Sequence, residues 1–288
     1  MHVINTATNV EVIAVDLPSV AVDVAVSADG TRAYVLSLQT AQIFVIDTVF
    51  NARLPTITLD QVGGSIATAS ADDVVYVTFR DTDELAVIAT ATGNVAARIS
   101  VGDSPLDVAV TRDGAVAYVA NAAATVSAVN LATQTVVATI PVADRPSAIA
   151  IAPDDNRVYV LASANRLFII DAATNSVIGN VGIAGALSAL AATPNGAFVY
   201  VANPTDRVSV VDLAAGSVTR TIAVDRYPAG IGFTPDGAFA YVGSGGLLPD
   251  GGSISIIDAQ TQTVTATISY PAGTAVSPAS VAVANIRP

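Results

Sequence analysis

A tyrosine returns along this chain at positions 34, 76, 118, 159, 200 and 241, at intervals of 42, 42, 41, 41 and 41 residues. A period of that length marks a repeated supersecondary unit that cannot bury its apolar face alone. Just before each tyrosine stands a turn: Ala28-Asp29-Gly30, Ala71-Asp72-Asp73, Arg112-Asp113-Gly114, Pro153-Asp154-Asp155, Pro194-Asn195-Gly196 and Pro235-Asp236-Gly237. Asp-Gly and Asn-Gly supply the positive φ that a tight hairpin needs. Twelve or thirteen residues after most of the tyrosines comes a β-branched run ending in Asp or Asn, as in Ile43–Asp47, Val126–Asn130, Leu167–Asp171 and Val208–Asp212. A small polar turn and a Val/Ile-Thr strand follow, for example Thr135–Val142. No helical period is sustained, so each unit reads as four short antiparallel strands, A to D.

Four-stranded sheets repeated in this way can pack radially as a β-propeller or stack as an open solenoid. The chain ends favour a ring. His2-Val3-Ile4-Asn5 matches the run ending at Asp212, so the chain begins at strand C. Two registers compete at the other end. In one, Tyr270-Pro271-Ala272-Gly273 repeats Tyr227-Pro228-Ala229-Gly230, and Val281–Asn285 is strand B with Ala284 in the tyrosine position. In the other, Pro278–Ala284 matches Pro146–Ala152 and the chain stops after strand A. The first avoids unpaired backbone in a ring. The expectation is therefore an all-β, seven-bladed propeller, one domain over residues 1–288, closed by a composite blade with strands A and B from the C-terminus and C and D from the N-terminus.

The units resemble the YVTN-type β-propeller repeat, carried by Tyr200-Val201-Ala202-Asn203 and Tyr118-Val119-Ala120-Asn121, with Val45–Thr48 and Ile169–Thr174 as the second half of the pattern. The second unit departs most, with Tyr76-Val77-Thr78-Phe79 and Ala89 where Asp is expected. The resemblance covers essentially the whole chain. It implies a bacterial or archaeal secreted or cell-surface protein but no single activity, since relatives range from surface-layer modules to lactonase-like enzymes. Fold alone assigns no chemistry.

Composition removes several chemistries. There is no Cys and one His, at position 2; all twelve basic residues are Arg. Cysteine nucleophiles, thiolate metal sites, a Ser-His-Asp triad and lysine bases lack their raw material. The net charge of −12 repels nucleic acid and anionic membrane surfaces. A mean hydropathy of +0.59 comes from short β pieces, without the roughly 20-residue apolar run of a spanning helix. No signal peptide is visible in this chain.

With Glu11 and Glu84 taken from the 24 acidic residues, 22 Asp remain. Eleven read as turn formers on one face of the ring, at the A–B and C–D turns. The other eleven map to the opposite face, where D–A and B–C loops gather round the channel mouth. The ligand-binding candidates there are Asp23, Arg80, Asp103, Asp107, Asp144, Arg145, Asp225 and Arg226. Asp23 and Asp107 are the least comfortable as mere turn residues, because carboxylates entering an inner strand lose water unless paired. A loop at 243–252, five residues or so longer than its counterparts, lies on the same face as a lid, a docking finger or a tolerated insertion.

The function expected is a non-catalytic binding or scaffold propeller, a monomer or a module of a larger protein, binding a protein or a polar, carbohydrate-like ligand at its acidic face. No catalytic residue and no cofactor is assigned; calcium is the metal that oxygen-only ligands would suit. The alternative is a lactonase- or lyase-like enzyme using the same carboxylates.

Overall fold

The computed structural model describes residues 1–69, 74–245, 251–271 and 280–283. Every regular element among them is a strand, and no helix is long and apolar enough to cross a membrane. The chain opens with β1 (His2–Asn5) and β2 (Val10–Ala14), a two-stranded sheet. Blade one follows as β3 (Ala21–Val26), β4 (Arg32–Ser37), β5 (Gln42–Asp47) and a split outer strand, β6 (Ala52–Arg53) and β7 (Ile57–Thr58). The split falls at Pro55, which has no N–H to give a ladder and is tolerated only at such an edge.

Five more four-stranded antiparallel sheets complete the series. Blade two is β8 (Ile66–Thr68), β9 (Val74–Phe79), β10 (Glu84–Ala89) and β11 (Asn94–Ser100). Blade three is β12 (Pro105–Val110), β13 (Val116–Asn121), β14 (Thr125–Asn130) and β15 (Thr135–Pro141). Blade four is β16 (Pro146–Ile151), β17 (Arg157–Ala162), β18 (Arg166–Asp171) and β19 (Ser176–Gly182). Blade five is β20 (Ala189–Ala192), β21 (Phe198–Asn203), β22 (Arg207–Asp212) and β23 (Ser217–Ala223). Blade six is β24 (Pro228–Phe233), β25 (Phe239–Ser244), β26 (Ser253–Asp258) and β27 (Thr263–Ser269).

The middle strands B and C are buried and strand D is the outer, half-wet edge, so apolar Val and Ile stack between neighbouring blades. The A–B turns carry Gly30, Gly114, Gly196 and Gly237 at φ between 68° and 75°, with Asp155 at 57° taking the same role in blade four. In three of them a buried Thr hydroxyl donates to the Asp or Asn two residues on and accepts the N–H five residues on, as Thr234 does with Asp236 (2.6 Å) and Phe239 (3.0 Å). At the C–D turns Asp47, Asp171, Asp212 and Asp258 accept backbone N–H groups. The turn role assigned to these aspartates holds. Asp72 and Asp73 lie outside the described residues.

The repeated tyrosines do more than fill the core. Tyr118 in blade three donates its hydroxyl toward the C–D turn of blade four, at Ala172 O (3.3 Å) and Asn175 Oδ1 (3.0 Å). Tyr241 in blade six makes the same pair of contacts with Thr6 O (3.2 Å) and Asn9 Oδ1 (2.5 Å) in the β1–β2 turn. Asn9 and Asn175 both hold positive φ, 56° and 50°. The bulge between Val3 and Ile4 in β1–β2 also repeats the one between Ile169 and Ile170 in β18–β19. Thus β1 and β2 stand as strands C and D beside blade six. On the other side Met1 and Val3 pack on the core of blade one.

The expectation of seven blades with a complete composite blade is not what the described residues contain. They hold six four-stranded blades and the two-stranded β1–β2 sheet. The C-terminal register is corrected as well. Ser280 donates to Asp23 of blade one (2.9 Å), and a Cβ on Gly230 of blade six would come within 3.0 Å of the backbone at 280–281. Strand A meets strand A between successive blades, so 280–283 sit in a strand-A position. Completeness of the ring was the wrong arbiter, because the local match at Pro278–Ala284 carries the contacts that seat the segment.

Tyr200 differs from Tyr118, since its hydroxyl is buried and has no hydrogen-bond partner. Removing a bonded hydroxyl costs about 1 kcal/mol, while removing an unsatisfied buried one is neutral or better. Urea denaturation is expected to show Tyr118→Phe destabilised by about that amount and Tyr200→Phe unchanged or stabilised.

Candidate functional site

Strand A of each blade lines the central channel, and there the ladder is broken in a regular way. Bulges between Ala21 and Asp23, Pro105 and Asp107, Pro146 and Ala148, and Pro228 and Gly230 skip one residue at the strand entry. A bulge re-aims the next side chain. It turns Asp23 and Asp107 into a cavity of about 330 Å3, to which every blade contributes, as does the 280–281 segment. Equivalent positions in the repeat are Ser65, Ala148, Ala189 and Gly230. The wall therefore carries carboxylates from blades one and three on either side of a serine from blade two, and is neutral over blades four to six.

Ser65, itself buried, joins the two carboxylates. Its Oγ lies 2.9 Å from Asp23 Oδ2 and 2.7 Å from Asp107 Oδ1. Asp23 also accepts the N–H groups of Val24 (2.8 Å) and Ile66 (3.0 Å) and the Ser280 hydroxyl. Asp107 accepts those of Val108 (2.9 Å) and Ile149 (2.8 Å). Burial first, and the charge of Asp23 second, push the Asp107 carboxyl up to about 6 against the pull of its hydrogen bonds. What surface Asp107 keeps faces the cavity; protein surrounds it elsewhere.

A serine hydroxyl has one proton to donate. It cannot donate to both carboxylates, so two short contacts need a second proton, and Asp107 is the carboxyl that holds one below about pH 6. The chain is then Asp107 O–H to Ser65 O–H to Asp23 carboxylate. Above that pH one contact becomes acceptor facing acceptor.

The other predicted residues are not gathered there. Arg80 is exposed, its Nε packed over Gly64, where a Cβ would come within 2.9 Å; among the described residues it forms no ion pair. Asp103, Arg145 and Arg226 are exposed, and Asp144 is half-buried. The Asp144-Arg145 and Asp225-Arg226 neighbours do not pair; Asp225 instead accepts the Ser253 hydroxyl (2.5 Å). Sequence reading missed Arg98, which bridges Asp60 and Glu84 (2.7 Å) from strand D and lies 5.3 Å from the Phe79 ring. It also missed Ser65 and Ser280. Aligning the residue eleven before each repeated tyrosine would have found Ser65 between the two aspartates.

Residues 246–250 of the long loop, Asp250 included, lie outside the described residues. Among the described residues no group of three or more His, Cys, Asp or Glu converges for a metal.

No family model matches the chain, and no curated protein matches it. Among solved structures it is similar to hydrazine synthase from Kuenenia stuttgartiensis, with a TM-score of 0.81 at 19% identity, over 94% of this chain and 91% of that one. At that identity the likeness is one of fold.

Proposed function

We propose that the chain is a non-catalytic binding propeller of the YVTN type, acting at a bacterial or archaeal cell surface or outside the cell, with seven blade positions in its ring. Its ligand is a small polar molecule bearing hydroxyl or ammonium donors, taken into the channel mouth. The observation that carries this reading is the Asp23–Ser65–Asp107 bridge on the wall of the cavity. Asp107 Oδ2 accepts a single protein N–H and keeps a lone pair for a donor on the ligand, and a pocket with few convergent polar groups is where such a ligand is sought. The seven-position ring draws support from the tyrosine contact on Asn9 and from Ser280 on Asp23.

The two aspartates also favour a second reading, that of a lactonase- or lyase-like enzyme, because unequal carboxyls can divide acid and base roles. Calcium fits less well: it takes six or more oxygens, about that number at least, and both carboxylates here already accept protein N–H and O–H groups.

Thermal melting with 1,3-diaminopropane and with erythritol as probes tests the binding reading. A ligand of the folded state raises Tm by mass action. One probe is expected to raise the Tm of the parent protein and leave the Asp23→Asn/Asp107→Asn variant unmoved. Equal shifts in both proteins, or none in either, would refute it.

A further inference from the structure

The repeat position that carries Asp23 and Asp107 is one-sided in its chemistry round the channel. From blade one to blade six it reads Asp23, Ser65, Asp107, Ala148, Ala189 and Gly230. Ser280, seated in a strand-A position, closes on Asp23 at 2.9 Å. Hydroxyls and carboxyls therefore alternate along one arc, Ser280, Asp23, Ser65 and Asp107, each touching the next. At this position the facing arc offers only methyl groups and bare backbone to the same cavity of about 330 Å3.

The polar arc lacks a countercharge. Among the described residues neither Asp23 nor Asp107 takes part in an ion pair. The strands packed most against β12 are β8, β9, β13 and β16. They bring Tyr76 and Tyr118 and no Arg, while Asp103, Asp144 and Arg145 stand on the loops leading into β12 and β16. Arg80 is exposed, with its Nε over Gly64. The charge that acts most on Asp107 is that of Asp23, which opposes its ionisation. A buried carboxylate without a cation is costly, and the proton held between Asp107 and Ser65 spares the wall one of its two charges. Asp107 Oδ2 meets one protein donor, the Ile149 N–H (2.8 Å), and has a lone pair to spare.

We infer that the channel takes a short aliphatic ammonium ion in exchange for that proton, with its N–H donors on Asp107 and its carbon chain along Ala148, Ala189 and Gly230. This rests on the donor-binding reading of the cavity and narrows it to a cation. The exchange balances: the ammonium enters with its charge, the Asp107 carboxyl gives one proton to water, and the same carboxyl is compensated before and after. A neutral hydroxyl compound fits less well, since it supplies a donor but leaves the second carboxylate without a countercharge. Proton and ammonium compete for one carboxyl, so each weakens the binding of the other by the same factor.

The probe is 1,3-diaminopropane, with 1,3-propanediol as its neutral counterpart. At and below about pH 7.5 its amines are charged, as that of Lys is. Calorimetry and pH-stat titration of the full chain are expected to show one-to-one binding, with about one proton released at about pH 5 and none at about pH 7.5. The affinity should rise about tenfold per pH unit below about 6, where Asp107 holds its proton, and level off above it. Asp107→Asn should release no proton at either pH and lose the pH dependence. Diamine binding that releases no proton at about pH 5 would overturn the proposal. Equal binding of propanediol would also overturn it, and would leave a donor-binding cavity that is not a cation site. Sodium ions that displace the same proton at the same concentration would remove the ammonium assignment. An Asp107→Asn variant that still releases a proton would place the exchange elsewhere and overturn it too. No saturable binding of either probe at millimolar concentration would sink this inference and the binding role of the cavity together.

Discussion

Removal of residues 1–15 is expected to abolish the cooperative thermal transition of this protein. The segment supplies the only described strands between blade six and blade one, beside the short 280–283 stretch. Its loss strips Ile4 from the cluster of Tyr241, Ile254 and Ile256, and Met1, Val3 and Val15 from that of Val35, Phe44 and Ile46. Full burial of an aliphatic side chain is worth about 1.5–3 kcal/mol; Val15 is buried and Met1, Val3 and Ile4 are half-buried, and the exposed flanks of two blades add to that. The sum approaches the whole margin of about 5–15 kcal/mol on which a domain stands. Circular dichroism on heating reads the outcome. A truncated chain that still melted sharply, within a few degrees of the parent, would remove the ring-closure account. Asn9→Gly provides the graded version: it preserves the positive φ, deletes the shorter of the two Tyr241 contacts while Thr6 O remains, and should cost up to about 1 kcal/mol.

The second large effect is one of pH. Asp107 has its folded-state pKa raised to about 6 from an ordinary value of 3.8. Below the ordinary value both folded and unfolded chains hold this proton, and nothing is lost. Between the two values only the folded chain holds it, so stability falls as pH rises, and above about 6 the full penalty is present, about 3 kcal/mol. Asp107→Asn removes the titration. It gives up about 1 kcal/mol of hydrogen bonding, because an amide offers one oxygen where the carboxyl offered two to Val108, Ile149 and Ser65. The variant should therefore be more stable than the parent by about 2 kcal/mol at pH 8 and slightly less stable at pH 3.5. The turn aspartates run the other way. Asp29, Asp113, Asp171 and Asp236 are held low by Thr, Ser and backbone donors, and their contribution is present above the ordinary carboxylate value and lost as pH falls through their lowered ones. They act equally in both proteins, so the difference between parent and variant isolates Asp107. Denaturant midpoints from pH 3.5 to 8 measure it, and a constant difference across that range would show that Asp107 carries no raised pKa.

Much of the architecture could be read from residues because the repeat enforces it many times over. Positive-φ glycines at 30, 114, 196 and 237 each follow an Asp or Asn, and strands predicted from β-branched runs lie within a residue or so of those found, as with Thr135–Val142 against Thr135–Pro141. Asp23 and Asp107 stood out for the same reason, as charges on a strand that should be apolar. The bulge that aims them into the channel was not legible, since it is a main-chain event that any residue at positions 22 and 106 can support. Arg145 and Arg226 looked like partners of their neighbours because adjacency in sequence suggests pairing. On exposed loops two adjacent side chains diverge, and surface pairs are worth too little to hold them together. At the C-terminus the Pro278–Ala284 register is the better local match, and only completeness of the ring argues against it. What separates them is the hydroxyl of Ser280, a long-range contact with residue 23 that no local pattern contains.

The central feature of the channel wall is the proton shared across Ser65. Carboxyl-carbon NMR of uniformly 13C-labelled protein, titrated from pH 3 to 8, reads each aspartate in turn. One resonance, assigned by its disappearance in Asp107→Asn, is predicted to titrate near pH 6, with the Asp23 resonance shifting in the same step because the two are joined through one hydroxyl. If Asp107 instead titrates below about 4.5 in the ordinary carboxylate range, and Asp23 shows no response to it, the two carboxyls are independent surface groups and the channel wall is not the site described.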